Sequence, residues 1–266
     1  MSDRVVLTMK WGDEFPPSYV NRLFSAVSAH LSGPFRFVCL TNEPDGLHQA
    51  IEHFPLPDLD SPPSYYAKGA WPKLGVFKPD LYGLRGRCLF IDLDTIITGS
   101  LDGFFEHEGR FIAIGGGDDW RRNQTVETPA LLSGVFAFTF GELGHIYTAF
   151  IADKEKAHAS FENEQSFIEG QLDTWLPWPE GWIVSFKRHL CHPIGPDLIK
   201  APLTPDPSTK IVAFHGDPRP IDLVGRKKLW MKFPHSVRCP VEWLDDYWAR
   251  HGEGVDMNTT GTGRHA

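Results

Sequence analysis

The sequence predicts an α/β protein with a mixed central sheet flanked by helices. Its opening reads strand, helix, strand. An apolar run at 4–9 precedes Val20, Leu23, Phe24 and Val27 at helical spacing, and residues 35–40 are β-branched and aromatic. The run Cys88-Leu-Phe-Ile is apolar throughout, as in a parallel strand buried on both faces. Length and composition agree: 266 residues, 41% hydrophobic and 23% charged, suit a soluble chain with a sizeable core that needs no metal or disulfide staple.

Each element then has a local reason. Pro17 and Ser18 suit a helix start before Val20. Residues 48–54 predict a third strand, and the Pro-, Asp- and Ser-rich stretch 55–65 a loop. Residues 66–81 have a helical pattern, interrupted near Pro72 and Pro79. Strands are expected at 88–92, 111–114 and 135–140, and helices at 141–152 and 161–171. Short late strands are expected at 182–186 and 211–214. From Gly252 onward the tail is small, polar and glycine-rich, and disorder is expected there. No composition break divides the chain, so residues 1–251 read as one domain.

Charge and cysteine usage exclude several classes. A net charge of −8 argues against a general nucleic-acid binder, which needs a basic surface. Cys39, Cys88, Cys191 and Cys239 form no CxxC and read as reduced thiols of a cytoplasmic protein. No apolar run approaches the ~18 residues of a membrane span, and the N-terminus has no signal-peptide core. Without a basic amphipathic helix, membrane contact could only be peripheral. Oligomeric state is not legible.

Asp92 and Asp94 carry the first functional signal. Residues i and i+2 of a strand point the same way, so the two carboxylates converge beyond the end of the 88–92 strand. Like charges that close repel unless a cation or proton lies between them. A hard divalent cation with positions open to phosphate oxygens suits such a pair. Sites in open α/β sheets lie at such strand ends. The alternative is a pair of acids capping the turn that follows.

Residues 88–104, CLFIDLDTIITGSLDGF, resemble a stretch of the retaining family 8 glycosyltransferases, the glycogenin and bacterial lipopolysaccharide-galactosyltransferase group of the GT-A fold. Further markers follow in family order: Lys73 in a preceding helix, Leu132-Ser133-Gly134-Val135 for Asn-Ser-Gly-Val, Glu164-Gln165 for Asp-Gln, and Phe214-His215-Gly216 with Arg219-Pro220 for the late His…Gly…Lys-Pro loop. Together they span about residues 5–222. An opening Lys10-Trp11-Gly12 is similar to uncharacterised bacterial glycosyltransferase-like proteins. Three positions depart from the pattern: Leu132 replaces Asn, Arg219 replaces Lys, and Glu164 replaces Asp.

The resemblance implies a nucleotide-binding half at 1–99 and an acceptor half at 100–251. It implies a metal-dependent hexosyltransferase moving a sugar from a nucleotide-diphosphate donor, UDP above all, to a carbohydrate or glycan acceptor with retention. The implied metal is Mn²⁺, with Mg²⁺ the alternative, on Asp92, Asp94 and His215. Implied donor contacts are Thr8, Lys10, Trp11, Lys73, Asp92, Ser133, Gly134 and Arg219. Glu164 and Gln165 take the catalytic positions. A packing reading stands beside most of these: an exposed helix face for Glu164 and Gln165, a solvated charge for Lys73 and Arg219, a half-buried ring for Trp11. Trp175, Trp178 and Trp182 read as a packed cluster before an acceptor platform. Two rival functions remain. A haloacid-dehalogenase-type phosphatase could use Asp92 and Asp94 with Asp118-Asp119 as a later metal pair, but its motif wants Gly-Thr after the second Asp, and too few residues separate the two acidic pairs. A nucleotide-sugar-binding protein without turnover is the other.

Overall fold

The computed structural model describes residues 4–61, 70–120, 130–193, 195–225, 230–232, 235–237 and 239–252. Its centre is a seven-stranded sheet of order β3-β2-β1-β4-β7-β6-β8. Here β1 is Arg4–Met9, β2 Arg36–Leu40, β3 Glu52–Phe54, β4 Arg87–Ile91, β6 Phe111–Gly116, β7 Ala130–Thr139 and β8 Leu176–Pro177. β1 pairs in parallel with β2 and with β4, and β2 with β3, so the first half has the expected parallel sheet. β7 runs antiparallel to β4 and β6, which makes the sheet mixed.

Alternation along the strands divides the core. Val6, Cys39, Leu89 and Ile91 face helix α1 (Pro17–His30), which buries Val20, Leu23, Phe24 and Val27 against them. Val5, Leu7, Val38 and Phe90 face the other way, toward Leu74, Phe77 and helix α3 (Gly144–Ala152). The second face is a stack of rings. Phe90 and Phe136 lie 4.6 Å apart nearly parallel, and Phe77 packs on Phe136 and Phe138.

A smaller sheet sits beyond the end of β4. β10 (Ile211–Ala213) lies between β5 (Thr95–Ile97), antiparallel, and β9 (Ile183–Ser185), parallel. A chain leaving β4 therefore crosses Asp92 and Asp94 before entering a second sheet. Short helices α2 (Asp102–Glu106), α4 (Lys154–Ser160), α5 (Glu164–Gln171), α6 (Pro220–Leu223) and α7 (Glu242–Arg250) and the ribbon β11 (Trp230–Lys232) with β12 (His235–Val237) complete the described chain.

Several expectations need adjustment. The helical pattern at 66–81 becomes a 3-10 helix at Trp71–Phe77, with 62–69 outside the described residues. Pro72 fits only the first turn, and Gly75 is pressed against Pro57, where a Cβ would come within 2.8 Å of that ring. α4 and α7 were not expected, although α7 is amphipathic and buries Leu244 and Tyr247 at i, i+3 spacing, a signal the sequence offered. The helix expected from 161 starts at Glu164, because Asn163 and Ser166 form a capping box. The tail 253–266 lies outside the described residues.

Candidate active site

Two connected hollows lie at the carboxyl ends of β1 and β4, where the strand order turns around. The larger is a cavity of about 360 Å³ walled by Lys73, Asp92, Asp94, Ser133, Gln165 and His215, among others. The smaller, about 140 Å³, shares Lys73, Asp92 and Asp94 and is closed by Met9, Trp11 and Phe15.

One wall is a closed network. Lys73, 4% exposed, donates from Nζ to Asp92 Oδ2 at 2.6 Å and to Ser133 O at 3.2 Å. Ser133 Oγ donates to Glu164 Oε1 at 2.9 Å, and the Ser133 N–H to Gln165 Oε1 at 2.8 Å. The Ala70 N–H donates to the other Glu164 oxygen at 2.9 Å. Burial works against the Lys73 ammonium, but Asp92 and Glu164 outweigh it and hold its pKa above the ordinary lysine value. The local sequence explains the placement. The capping box fixes the first turn of α5, which turns Glu164 inward and presents Gln165 to the β7 edge. Glu164 is 3% exposed, so the exposed-face reading is excluded for it. At Gly134 a Cβ would lie 3.7 Å from Asp92 Oδ2, and glycine keeps that wall recessed.

The opposite wall is open. No side chain among the described residues donates a hydrogen bond to the Asp94 carboxylate. Burial, and then the charge of Asp92, push its pKa up to about 7. His215 meets Ser185 Oγ through Nε2 at 2.6 Å. Partial burial and the charges of Lys187, Arg188 and His189 hold its pKa below the usual histidine value, so its ring is neutral at pH 7. One carboxylate in need of positive charge and one neutral imidazole on the same cavity are a donor set that suits Mn²⁺ or Mg²⁺. Among the described residues no three His, Cys, Asp or Glu side chains close around one point. A cation here would need oxygens from a ligand to complete its shell.

Two expected donor contacts face away from the cavity, and a third is engaged by residues that line the smaller hollow. Thr8 and Lys10 share the α1 side of β1, whereas Met9 and Trp11, one residue out of phase, reach the smaller hollow. Thr8 is wholly buried, and Lys10 spends its ammonium on Glu43 Oε2 at 2.7 Å. Arg219 is also diverted: its guanidinium pairs with Glu14 and lies over the Phe15 ring at 4.8 Å. Trp178 is a packed ring, donating from Nε1 to Val135 O at 3.0 Å and meeting Trp182 and Phe104. Trp175 Nε1 bonds Glu169.

Two residues at the site went unread in the sequence. Trp120, 9% exposed, lines the larger cavity and lies 6.1 Å from His215, ring to ring. Lys187, in the π turn Phe186–Leu190, places Nζ 3.7 Å from where a Gly216 Cβ would be, and it forms no ion pair among the described residues. The basic triplet 187–189 was the available signal for Lys187. Asp119 pairs with His189 Nε2 at 3.1 Å, so it is not a free second metal pair for Asp92.

No protein-family model and no curated protein sequence matches the chain. Solved structures do. The glycosyltransferase GlyE of Streptococcus pneumoniae matches at a TM-score of 0.58 and 15% identity, over 96% of this chain and 62% of that one. The galactosyltransferase LgtC, solved with donor and acceptor sugar analogs, matches at 0.54 and 12%, over 93% and 95%. The bifunctional glycosyltransferase WbbM matches at 0.59 and 14%, over 94% of this chain and 49% of that one. The chain thus spans about three fifths of GlyE and half of WbbM. At such identities the likeness is one of architecture: the chain has the GT-A fold of these glycosyltransferases.

Proposed function

We propose that this chain is a metal-dependent glycosyltransferase that moves a sugar from a nucleotide-diphosphate donor, UDP-linked in the first instance, to a carbohydrate acceptor with retention. The observation that carries the reading is the cavity itself. Two strand-end carboxylates, an inward lysine, a serine–glutamine pair and an imidazole share one hollow at the sheet's switch point. Residues 1–99 contribute Trp11, Lys73 and both aspartates, and are assigned to the donor; residues 100–251 are assigned to the acceptor.

The roles follow from the bonds. Trp11 and Phe15, over the smaller hollow, offer rings to a base. Asp94 and His215, with the outer oxygen of Asp92, would hold a divalent cation, which would neutralise the charge on the departing diphosphate. Lys187 adds a fixed positive charge beside Gly216. Gln165, anchored through Oε1 to Ser133 N–H, keeps its NH₂ donors for a sugar hydroxyl. Glu164 is a poor nucleophile because both its oxygens already accept hydrogen bonds, from Ala70 N–H and Ser133 Oγ. Those bonds favour attack on the face the leaving group departs from, over a covalent sugar on Glu164.

Calorimetry of UDP with and without Mn²⁺ is the direct test. UDP should bind with Mn²⁺ and lose that affinity after chelation, and Asp94→Asn and His215→Ala should each mimic chelation. Equal UDP binding in all four cases would remove the site from this cavity. Release of UDP from UDP-sugars, against phosphate from phosphomonoesters, separates the transferase from a phosphatase; binding without release marks a non-catalytic protein.

A further inference from the structure

The larger cavity has a third side, and it is apolar: Ile114, Leu132 and Trp120 line it beside the two polar walls. An irregularity in the sheet builds this side. β6 and β7 pair at Ala113 with Phe136, and the next pair is Ile114 with Leu132, so residues 133–135 drop out of the ladder with β6. They stay with β4 instead, where Ile91 pairs with Val135 and the Asp92 N–H bonds Gly134 O at 2.9 Å. Leu132 is thereby delivered opposite Ile114 and is only half-buried. Gly116 makes room for it, since a Cβ there would come within 3.1 Å of Leu132 Cγ and Cδ1. Trp120 follows at the end of β6, its N–H bonded to Gly117 O at 3.0 Å.

Two neighbours define what this side can meet. Ile114 Cδ1 and Asp92 Oδ2 each lie 3.7 Å from the point a Gly134 Cβ would occupy, so they are less than twice that distance apart. Under the transferase reading, on which this inference rests, the diphosphate lies at the aspartates. A group against Ile114 and Leu132 then belongs to the donor sugar, close to its anomeric carbon. Gln165 is the second neighbour. Its Oε1 accepts from the N–H of Ser133, the residue after Leu132, which leaves its NH₂ group beside the apolar side.

We propose that the donor is the nucleotide of an N-acetylhexosamine, with its 2-acetamido group seated on Ile114, Leu132 and Trp120. A ring hydroxyl pressed against the Ile114–Leu132 pair loses water and finds no donor or acceptor on either side chain. An acetamido group divides as the site does. Its methyl takes the hydrocarbon of Ile114 and Leu132 and the ring surface of Trp120. Its carbonyl accepts from one Gln165 N–H, and the second N–H is left for a ring hydroxyl. Its own N–H, on the carbon next to the anomeric centre, can donate to a diphosphate oxygen of the same molecule. A deoxy sugar would match the apolar side alone and offer the Gln165 amide no carbonyl.

The test is calorimetry on the full chain in Mn²⁺ with UDP, UDP-glucose, UDP-galactose, UDP-N-acetylglucosamine and UDP-N-acetylgalactosamine. At least one acetamido donor should bind about ten- to a hundredfold tighter than its parent hexose donor, the discrimination one added group in a matching pocket supports. Leu132→Asn, which keeps the branching of the side chain and makes it polar, should cut that ratio at least tenfold and leave UDP itself unchanged. Ile114→Val, a milder change to the same side, should cut it about fourfold, the worth of one buried CH₂. Binding of UDP without discrimination in either pair overturns the proposal. So does a ratio that survives both variants, or free N-acetylglucosamine binding as tightly as its nucleotide, which would give the apolar side to the acceptor. Failure of UDP to bind in Mn²⁺ is distinguishable from these: it removes the transferase reading, and this proposal with it.

Discussion

The two walls of the candidate active site differ in how far their charges are already answered. On the β7–α5 side Lys73, Asp92, Ser133, Glu164 and Gln165 bond to one another at 2.6 to 3.4 Å. On the β10 side no side chain among the described residues donates to the Asp94 carboxylate, His215 is held through Nε2 by Ser185 Oγ, and Lys187 beside Gly216 forms no ion pair among the described residues. The first wall is finished by folding and serves as a mould. The second is left electrostatically incomplete, which costs stability and creates affinity for whatever completes it. Variants on the two walls should therefore fail differently.

The largest effect is expected on the closed wall. Lys73→Met removes the cation between Asp92 and Glu164 and leaves both carboxylates in a buried setting. Unpairing a buried charge costs about 3–5 kcal/mol, and chemical unfolding should record a loss of that order together with loss of UDP binding. The open wall should show the opposite pattern. Asp94→Asn keeps the shape and removes a charge that burial and Asp92 both disfavour, so the unfolding midpoint should hold or rise. Sugar transfer, followed as UDP release, should fall by about 10²-fold or more, as when a preorganised stabiliser is lost. Equal destabilisation by the two variants would erase the distinction between the walls.

The same division explains what was legible in the sequence. Local signals sufficed for β1, β2 and β4, whose apolar runs are long and buried, and for the convergence of Asp92 and Asp94, which follows from strand alternation alone. Glu164 and Gln165 were found by position, but the inward turn of Glu164 depends on the Asn163–Ser166 cap and on Ala70, 94 residues away. Arg219 shows the limit. Its place in the loop was readable, whereas its capture by Glu14 and Phe15, 205 residues distant at the Glu14 carbonyl, is a tertiary event. Lys10 fails for a plainer reason: alternation put it on the opposite face from Trp11, and that could have been read. Lys187 belongs to a π turn that no periodic pattern announces.

A milder pair of variants sharpens the assignment of charge. A hydrogen bond to a charged group is worth about 1.5–3 kcal/mol, so Lys187→Ala should weaken UDP in the presence of Mn²⁺ by about ten- to a hundredfold. Arg219→Ala, which mainly releases Glu14 and Phe15 at the smaller hollow, should weaken it less than Lys187→Ala does. The reverse ranking would return the phosphate role to Arg219 and leave Lys187 as a surface charge. Calorimetry on both variants reads the order directly.

The smallest effect compares two neutral histidines. His215 sits at the exposed mouth of the open wall, whereas His251 is buried under α7 against Ser25 and Tyr247. The His251 pKa is about 4 in the fold, against 6.5 for an ordinary histidine, so between those values the unfolded chain binds a proton that the folded chain does not. Stability carried by this residue is therefore complete above pH 6.5 and drains away as the pH falls toward 4. The slope from one such group is at most about 1.4 kcal/mol per pH unit. His251→Asn offers Ser25 an amide that does not titrate in this range. Plotted as wild type minus variant, the unfolding free energy should fall from pH 6.5 to pH 4.5, and the same difference for His215→Asn, whose pKa burial and the charges of Lys187, Arg188 and His189 also bring down to about 4, should fall in parallel. A flat His215 difference would mean that the exposed mouth of the open wall leaves that imidazole an ordinary histidine, and that only His251 is titrated by the fold.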